Sequence, residues 1–229
     1  MHRTREMNLP FDQPFEARAE PACDPALLQE CLGSPDGLGT LGLAVWSGGA
    51  QTVADAAGLE RFVRGYCGSL LLPLELPAIR RAYYHAAGYQ VRELLAFDQE
   101  LAREPALADF GFASQAVGRG YLRRLRPLRD VRLLRRYERA VQAGTAAGWH
   151  TLVYGVVLNV YSLPLRQGLL SYARQTVNGF IEAGASRLQL TVADQQPLRD
   201  RLLAPLSCAV HGLCAAGVRV LPDHEPWNI

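Results

Sequence analysis

Lysine is absent from this chain, and its absence excludes a large part of ordinary enzyme chemistry. All 24 basic residues among the 229 are arginines, set against 22 acidic residues, so the formal net charge is only +2. Without lysine there is no Schiff-base catalysis, no lysine-bound pyridoxal phosphate and no phosphate-binding loop of the glycine–lysine type. The near balance of charge gives no overall attraction to nucleic acid or to anionic lipid.

The sequence also lacks the signatures of common hydrolases and of membrane proteins. It contains no HExxH or GxSxG motif and no pair of aspartate-rich clusters. Its five cysteines are scattered without a CxxC pair, a pattern typical of reduced thiols in a cytosolic protein. Residues 1–6 show no apolar signal run, and no uncharged apolar stretch reaches about 18 residues. We therefore expect a cytoplasmic protein without a membrane span.

After Asp55, apolar residues recur at three- and four-residue spacing, which is the pattern of amphipathic helices. The pattern predicts an all-α fold of about seven or more helices, including helices over about 76–102, 105–125 and 197–216. We expect one compact domain over residues 26–229, preceded by a flexible tail over residues 1–25. Residues 151–157 and 187–192 also have strand-like patterns, but neither has a hairpin turn beside it.

A cluster of arginines is the most conspicuous feature that is present. Nine arginines fall between Arg119 and Arg139, and Arg132, Arg136 and Arg139, together with Arg129, share one predicted helix face. Such a face suits three roles: a solvated polar surface, a surface for a protein partner, or a track for a phosphate backbone. Few aromatic side chains are interleaved with these arginines to stack on bases.

Cys208, His211 and Cys214 are soft metal ligands at helical spacing near the end of the chain. On one helix the two cysteines would be about 9 Å apart along the axis, which a single tetrahedral ion spans poorly. The plainer interpretation is a pair of buried thiols on an apolar helix. We assign no metal site, and Cys208 and His211 remain the only candidates for one.

Several short motifs, taken in chain order, resemble the urease accessory protein F family. Residues 114–119 match an S-x-x-x-G-R helix segment, and an H-x-x-V-x-G stretch begins at His150. Further matching segments lie in the family's order at residues 53–59, 76–77, 163–165, 172–188 and 194–196. The likeness spans roughly residues 26–216. The chain departs from the family in its glycine-rich segment at residues 33–49, and Asp223 stands where the family has arginine before His224 and Glu225, ahead of a basic tail that this sequence lacks.

The resemblance implies an all-α homodimer that has no catalytic activity of its own. The family assists nickel insertion into apo-urease by bridging accessory protein D, also called H, and the nickel-carrying GTPase, accessory protein G. It implies no cofactor, since nickel is handled by the complex rather than held tightly by this chain. The candidate partner-binding residues are Arg119, Arg129, Arg132, Arg136, His150, Asp194, Gln195, Gln196, His224 and Glu225. For His150 and Asp194 the alternative is a structural role at helix ends.

Two other classes of function stay open at this point. An arginine-lined nucleic-acid-binding module predicts binding that weakens steeply with salt. An enzyme with a dispersed site around Tyr83, His85 and Glu93 predicts a deep pocket that holds a histidine with a perturbed pKa.

Overall fold

The structure, a computed structural model, describes residues 53–125 and 131–216. The described chain is helical throughout, with short turns between helices, which confirms the predicted all-α fold. The helices are α1 (Ala56–Tyr66), α2 (Leu76–Ala87), α3 (Val91–Leu101), α4 (Ala108–Arg124), α5 (Arg132–Gln142), α6 (His150–Val160), α7 (Leu165–Leu188), α8 (Val192–Leu203) and α9 (Leu206–Ala215). A π-helical segment, Cys67–Glu75, joins α1 to α2, and a 3-10 turn, Pro105–Leu107, precedes α4.

Helix α6 forms the centre of the core, and residues 151–157 are helical in spite of their strand-like pattern. Every residue from His150 to Leu158 is buried, so the helix is enclosed on all sides. A helix with no solvent face needs no polar stripe, and its sequence is therefore apolar and rich in valine from residue 152 to residue 158. Gly155 permits the closest approach, because a Cβ there would collide with the main-chain carbonyl of Ile79 on α2. The second strand-like stretch, residues 187–192, is the end of α7 and the turn into α8.

Two helices that the sequence predicts as long are each divided into two shorter helices in the structure. The helix expected over about 76–102 is interrupted at residues 88–90, where Tyr89 adopts a left-handed conformation with φ 54°. The helix expected over 197–216 is interrupted between Leu203 and Leu206, at a proline that removes a main-chain donor. Helical periodicity continues across both breaks, so the apolar pattern does not reveal them.

Polar groups at helix ends tie the elements together. Asp55 caps α1, and its Oδ1 accepts from the main-chain N–H of Gly58 at 2.7 Å. Arg80 on α2 donates to the carbonyls of Leu213 and Ala216 at the end of α9, at 2.6 and 3.1 Å. The Asp55 cap is local, whereas the Arg80 contacts join residues 133 and 136 positions apart in the chain.

Within the described ranges, no helix combines the length and apolar character needed to cross a bilayer. The predicted tail over residues 1–25 and the glycine-rich segment at residues 33–49 lie outside the described residues. The assignment of residues 26–229 to one domain stays a prediction.

Candidate functional site

The S-x-x-x-G-R motif on α4 holds the segment that leads into α6. Ser114 accepts the main-chain N–H of His150 at 3.3 Å, and Arg119 Nε donates to the carbonyl of Ala147 at 2.9 Å. Between them, Gly118 lies against the main chain of residues 148–150, so closely that a Cβ would overlap the carbonyl oxygen of Gly148. Two of the motifs that carry the family resemblance therefore form one structural junction.

Replacing Gly118 with alanine should lower the free energy of unfolding by about 2 kcal/mol, because the new methyl group meets main-chain atoms that cannot rotate away. Gly120, on the same helix, is the matched control, since a Cβ there meets no atom within 4 Å. Gly120→Ala should be neutral or stabilising by up to about 1 kcal/mol, from helix propensity. Urea unfolding followed by circular dichroism measures both, and equal effects of the two substitutions would contradict the junction.

Asp98 on α3 supports the same segment from the opposite side. Its carboxylate accepts from the main-chain N–H groups of Ala147 and Gly148 at 2.5 and 3.1 Å, and from the Tyr137 hydroxyl of α5 at 2.5 Å. Its carbonyl accepts from Trp149 Nε1 at 3.1 Å. Asp98 is fully buried. One carboxylate thus fixes the position of α5 relative to the start of α6.

His150, a candidate partner-binding residue, points into the core. Its side chain is only 4% exposed, and its ring lies 5.7 to 6.3 Å from the rings of Tyr121, Tyr154 and Tyr172. Burial lowers its pKa to about 4, so the imidazole is neutral near pH 7. Within the described residues, Nδ1 has no hydrogen-bond partner. This placement is what the structural alternative for His150 predicts, and a role in partner binding stays a prediction.

Tyr172 connects His150 to a second buried ionisable residue, Glu75, at the end of the π-helical segment. Burial raises the pKa of Glu75 to about 7, although hydrogen bonds with the Tyr66 and Tyr172 hydroxyls lower it. Its second carboxylate oxygen has no hydrogen-bond partner among the described residues. A carboxyl group in this setting is close to half-protonated at neutral pH.

The residues 194–196 are used locally at the start of α8. Asp194 and Thr191 form a capping box, and this hydrogen bonding with Thr191 lowers the pKa of Asp194. Gln195 Nε2 donates to the carbonyl of Leu190 at 3.2 Å, and Gln196 Nε2 donates to Asp200 at 2.9 Å. Asp194 and Gln196 remain exposed, so a role in partner binding stays a prediction for them.

Of the arginines predicted to share one helix face, Arg132, Arg136 and Arg139 do so on α5, where Arg135 joins them, whereas Arg129 lies outside the described residues. We call Arg132, Arg135, Arg136 and Arg139 the arginine surface, since all four side chains are exposed. The opposite face, Leu133, Leu134 and Tyr137, is buried. Arg119 is also exposed. Its Cγ lies beside Gly148, and the side chain of Val141 on α5 lies beside the same glycine. Arg119 therefore adjoins the last turn of α5.

The remaining candidates are separated from this region or lie outside the described residues. Cys208 and His211 are both exposed on α9, so the expectation of buried thiols is wrong for Cys208. No group of three or more metal-ligating side chains occurs among the described residues. Arg129, His224 and Glu225 lie outside the described ranges, and their predicted roles stay predictions.

His85, a candidate for the dispersed enzyme site, is hydrogen-bonded to neighbouring side chains. The ring nitrogens of His85 interact with Arg81 Nε at 3.3 Å and with Gln90 Oε1 at 2.9 Å. Glu93 is exposed on the next helix. Both nitrogens are thus engaged by neighbouring side chains, and the enzyme alternative around Tyr83, His85 and Glu93 stays a prediction.

Sequence reasoning missed the two buried carboxyls, Glu75 and Asp98. Each had a readable signal: Glu75 interrupts the apolar run of residues 70–76, and Asp98 follows Phe97 on the apolar side of its helix. An acidic residue at a core position is buried only when it is hydrogen-bonded or has a shifted pKa. That rule identifies the positions as unusual, but it does not identify their partners.

The fold and the junction define a class: an all-helical protein that buries Glu75, Asp98 and His150 in its core and exposes a surface of arginines on α5. The family model UreF matches residues 53–189, more than half of the chain. The chain therefore belongs to the UreF family, and it is a urease accessory protein. The match begins just before the cap of α1 and ends at the last residues of α7, so it contains the whole junction. A comparison with curated proteins finds no match.

Proposed function

We propose that this chain is a non-catalytic scaffold that assists nickel insertion into apo-urease by holding accessory protein D, or H, and the GTPase, accessory protein G, in one complex. The observation that carries the proposal is the UreF match across residues 53–189. The scaffold acts as a cytoplasmic homodimer. Nickel passes through the complex as cargo, without a tightly bound ion in this chain.

The arrangement of the ionisable groups supports a binding role rather than catalysis. His150 and Glu75 are buried, whereas the exposed arginine surface can be reached by another protein. A scaffold accelerates assembly by placing two partners at high effective concentration, and it needs no reactive group for that purpose. Rigid attachment of α5 through Tyr137 and Asp98 would keep the surface preorganised.

Mixing the purified chain with accessory proteins D and G should give a complex larger than the free dimer, measured by size-exclusion chromatography with light scattering. The controls are the two accessory proteins without the chain and each accessory protein alone with it. Adding apo-urease and nickel should then give faster activation with the chain than without it. If D and G associate equally well without the chain and activation is unchanged, the scaffold proposal fails.

Nucleic-acid binding is the competing function, and the exposed arginines are the observation that favours it. Tyr121 and Tyr137, the aromatic residues within the arginine cluster, are buried at 4% and 0% exposure. They are therefore not available as platforms for bases.

A further inference from the structure

We propose that the arginine surface of α5 is the docking surface for a partner protein that presents clustered carboxylates. The inference deepens the proposed function, on which it rests, by assigning one partner contact of the scaffold to named side chains.

The geometry of the surface suits recognition by several side chains at once. Arg132, Arg135, Arg136 and Arg139 stand at relative positions 0, 3, 4 and 7 of one helix, so they cover two turns of one face. This spacing spans about 10 Å along the axis.

The four guanidinium groups have no carboxylate partner among the described residues. Elsewhere in the same structure arginines do find such partners: Arg201 and Arg64 bind Glu60 at 2.8 and 2.7 Å. The acidic residue of α5 itself, Glu138, accepts from Gln142 instead. Like charges three and four residues apart repel by about 0.2–0.5 kcal/mol per pair, so the surface costs the isolated protein some stability. A partner's carboxylates would remove that repulsion.

The surface is held in place before any partner arrives. Tyr137, on the buried side of α5, donates to Asp98, and Asp98 also holds Ala147 and Gly148. The same segment receives the Arg119 hydrogen bond from α4. Binding to a preorganised helix loses less entropy than binding that must first order the helix.

The choice of a carboxylate partner over nucleic acid follows from the surroundings of the arginines. A guanidinium group pairs in bidentate fashion with either carboxylate or phosphate, so the charge alone does not decide. Binding of single strands relies on exposed aromatic rings, but the strongly exposed aromatic residues, Tyr89 and Phe112, lie on other elements than α5. The formal net charge of +2 also falls short of the strongly basic character that is typical of nucleic-acid-binding domains.

The test compares two quadruple variants with the same change in charge. The first replaces Arg132, Arg135, Arg136 and Arg139 with glutamine. The second, the matched control, replaces the exposed arginines Arg61, Arg92, Arg166 and Arg174, which lie on other helices. Because all eight side chains are exposed, both variants should fold, and thermal unfolding by circular dichroism checks this. A third variant, with lysine at the four α5 positions, keeps the charge but loses bidentate pairing.

Binding is measured first to the mixture of accessory proteins D and G, at 100 and 300 mM NaCl. We expect the α5 glutamine variant to weaken binding at least about tenfold, the lysine variant to weaken it less, and the control to stay within about twofold of the unchanged chain. Raising the salt should weaken binding of the unchanged chain and of the control, and it should affect the α5 glutamine variant less. Unchanged binding by the α5 glutamine variant would overturn the inference while leaving the scaffold function intact.

A second probe tests carboxylate binding by the arginine surface without accessory proteins D and G. If no complex with D and G forms, the proposed function fails, but this second test still decides the inference. The probe is a fluorescent 12-residue peptide of alternating glutamate and glycine, measured by anisotropy beside a 20-base-pair DNA duplex and a 20-nucleotide single strand. Peptide binding that the α5 glutamine variant loses and the control keeps supports the carboxylate surface. Equal loss in both variants, absence of binding, or tighter binding of either DNA at matched salt would overturn it.

Discussion

Replacing Asp98 with asparagine is expected to lower the free energy of unfolding by about 3 kcal/mol. The carboxylate accepts three hydrogen bonds, from Tyr137 and from the main chain of Ala147 and Gly148, and it is fully buried. Asparagine has only one acceptor oxygen. Its amide nitrogen would take the place of the second carboxylate oxygen and would face at least one of the groups that donate to Asp98. The substitution therefore leaves at least one buried donor without an acceptor. Urea unfolding at pH 7 measures the effect.

Asp200→Asn is the matched control for this prediction. Asp200 is exposed and accepts a single hydrogen bond, from Gln196, so its replacement should change stability by less than about 0.5 kcal/mol. Tyr137→Phe removes one of the three donors to Asp98 and should cost about 1 kcal/mol. The double variant of Asp98 and Tyr137 should then cost less than the two single changes added together, because both act on one hydrogen bond. Strict additivity would show that the contact does not contribute.

The Asp98 variant also bears on function, because the same residue positions α5 and with it the arginine surface. If the surface binds as a preorganised unit, Asp98→Asn should weaken partner binding although Asp98 itself is buried. The glutamine variant of the arginines should instead weaken binding without lowering stability, because it only removes repulsion between like charges. The two variants separate the chemistry of the surface from the rigidity that presents it.

The contrast between Asp98 and the helices shows what local sequence can reveal. The apolar spacing of Leu59, Val63 and Tyr66 identifies a helix because neighbours on one face are three or four residues apart. The partners of Asp98 are 39, 49 and 50 residues away, and no spacing rule connects them. Likewise, the family motif identified Ser114, Gly118 and Arg119, but only the structure shows that all three hold the segment before α6.

The π-helical segment was equally hidden from the sequence. Its apolar residues continue the stripe of α1, and the sequence therefore predicts one helix that carries on past Tyr66. The wider turn places Glu75 at a core position among tyrosines, where hydrogen bonding and burial have opposite effects on its charge. An amphipathic pattern predicts which side of a helix is buried, but it does not predict which acidic residue will share that side.

Replacing Glu75 with glutamine is expected to increase the stability of the protein relative to the unchanged chain as the pH rises. The pKa of Glu75 is about 7 in the folded protein, against an ordinary value of 4.5. Between pH 4.5 and 7 the folded state therefore holds a proton that the unfolded state has lost, so the free energy of unfolding falls with rising pH. The fall amounts to about 3 kcal/mol over this window, and glutamine, which does not titrate, avoids it.

His150 has the opposite effect and masks part of this fall in the unchanged chain. Its pKa is about 4 in the folded protein, against an ordinary value of 6.5. Between pH 4 and 6.5 the unfolded state binds a proton that the folded state does not, so stability rises with pH over that range. The two slopes cancel between about pH 4.5 and 6.5. His150→Phe should remove the rising slope and expose the fall due to Glu75.

The measurement is urea unfolding at intervals from pH 4 to pH 8 for the unchanged chain and for each variant. Subtracting the curve of the unchanged chain removes the contribution of all other titrating groups. For Glu75→Gln the difference should rise by about 3 kcal/mol between pH 4.5 and 8, and for His150→Phe it should fall by about as much between pH 4 and 6.5. A difference that stays constant within about 1 kcal/mol would show that the group in question does not titrate as inferred.

The tyrosines around Glu75 provide the sharpest check on the cause. The hydroxyls of Tyr66 and Tyr172 lower the pKa of Glu75 through hydrogen bonds, while burial raises it further than they lower it. Tyr172→Phe removes one of these hydroxyls and leaves the site buried, so the pKa of Glu75 should rise above 7. When Glu75→Gln is measured in the Tyr172→Phe background, the pH at which the stability difference caused by Glu75→Gln levels off should move upward by the same amount. A downward shift would mean that Tyr172 stabilises the protonated carboxyl rather than the charged one, and the balance at Glu75 would have to be assigned differently.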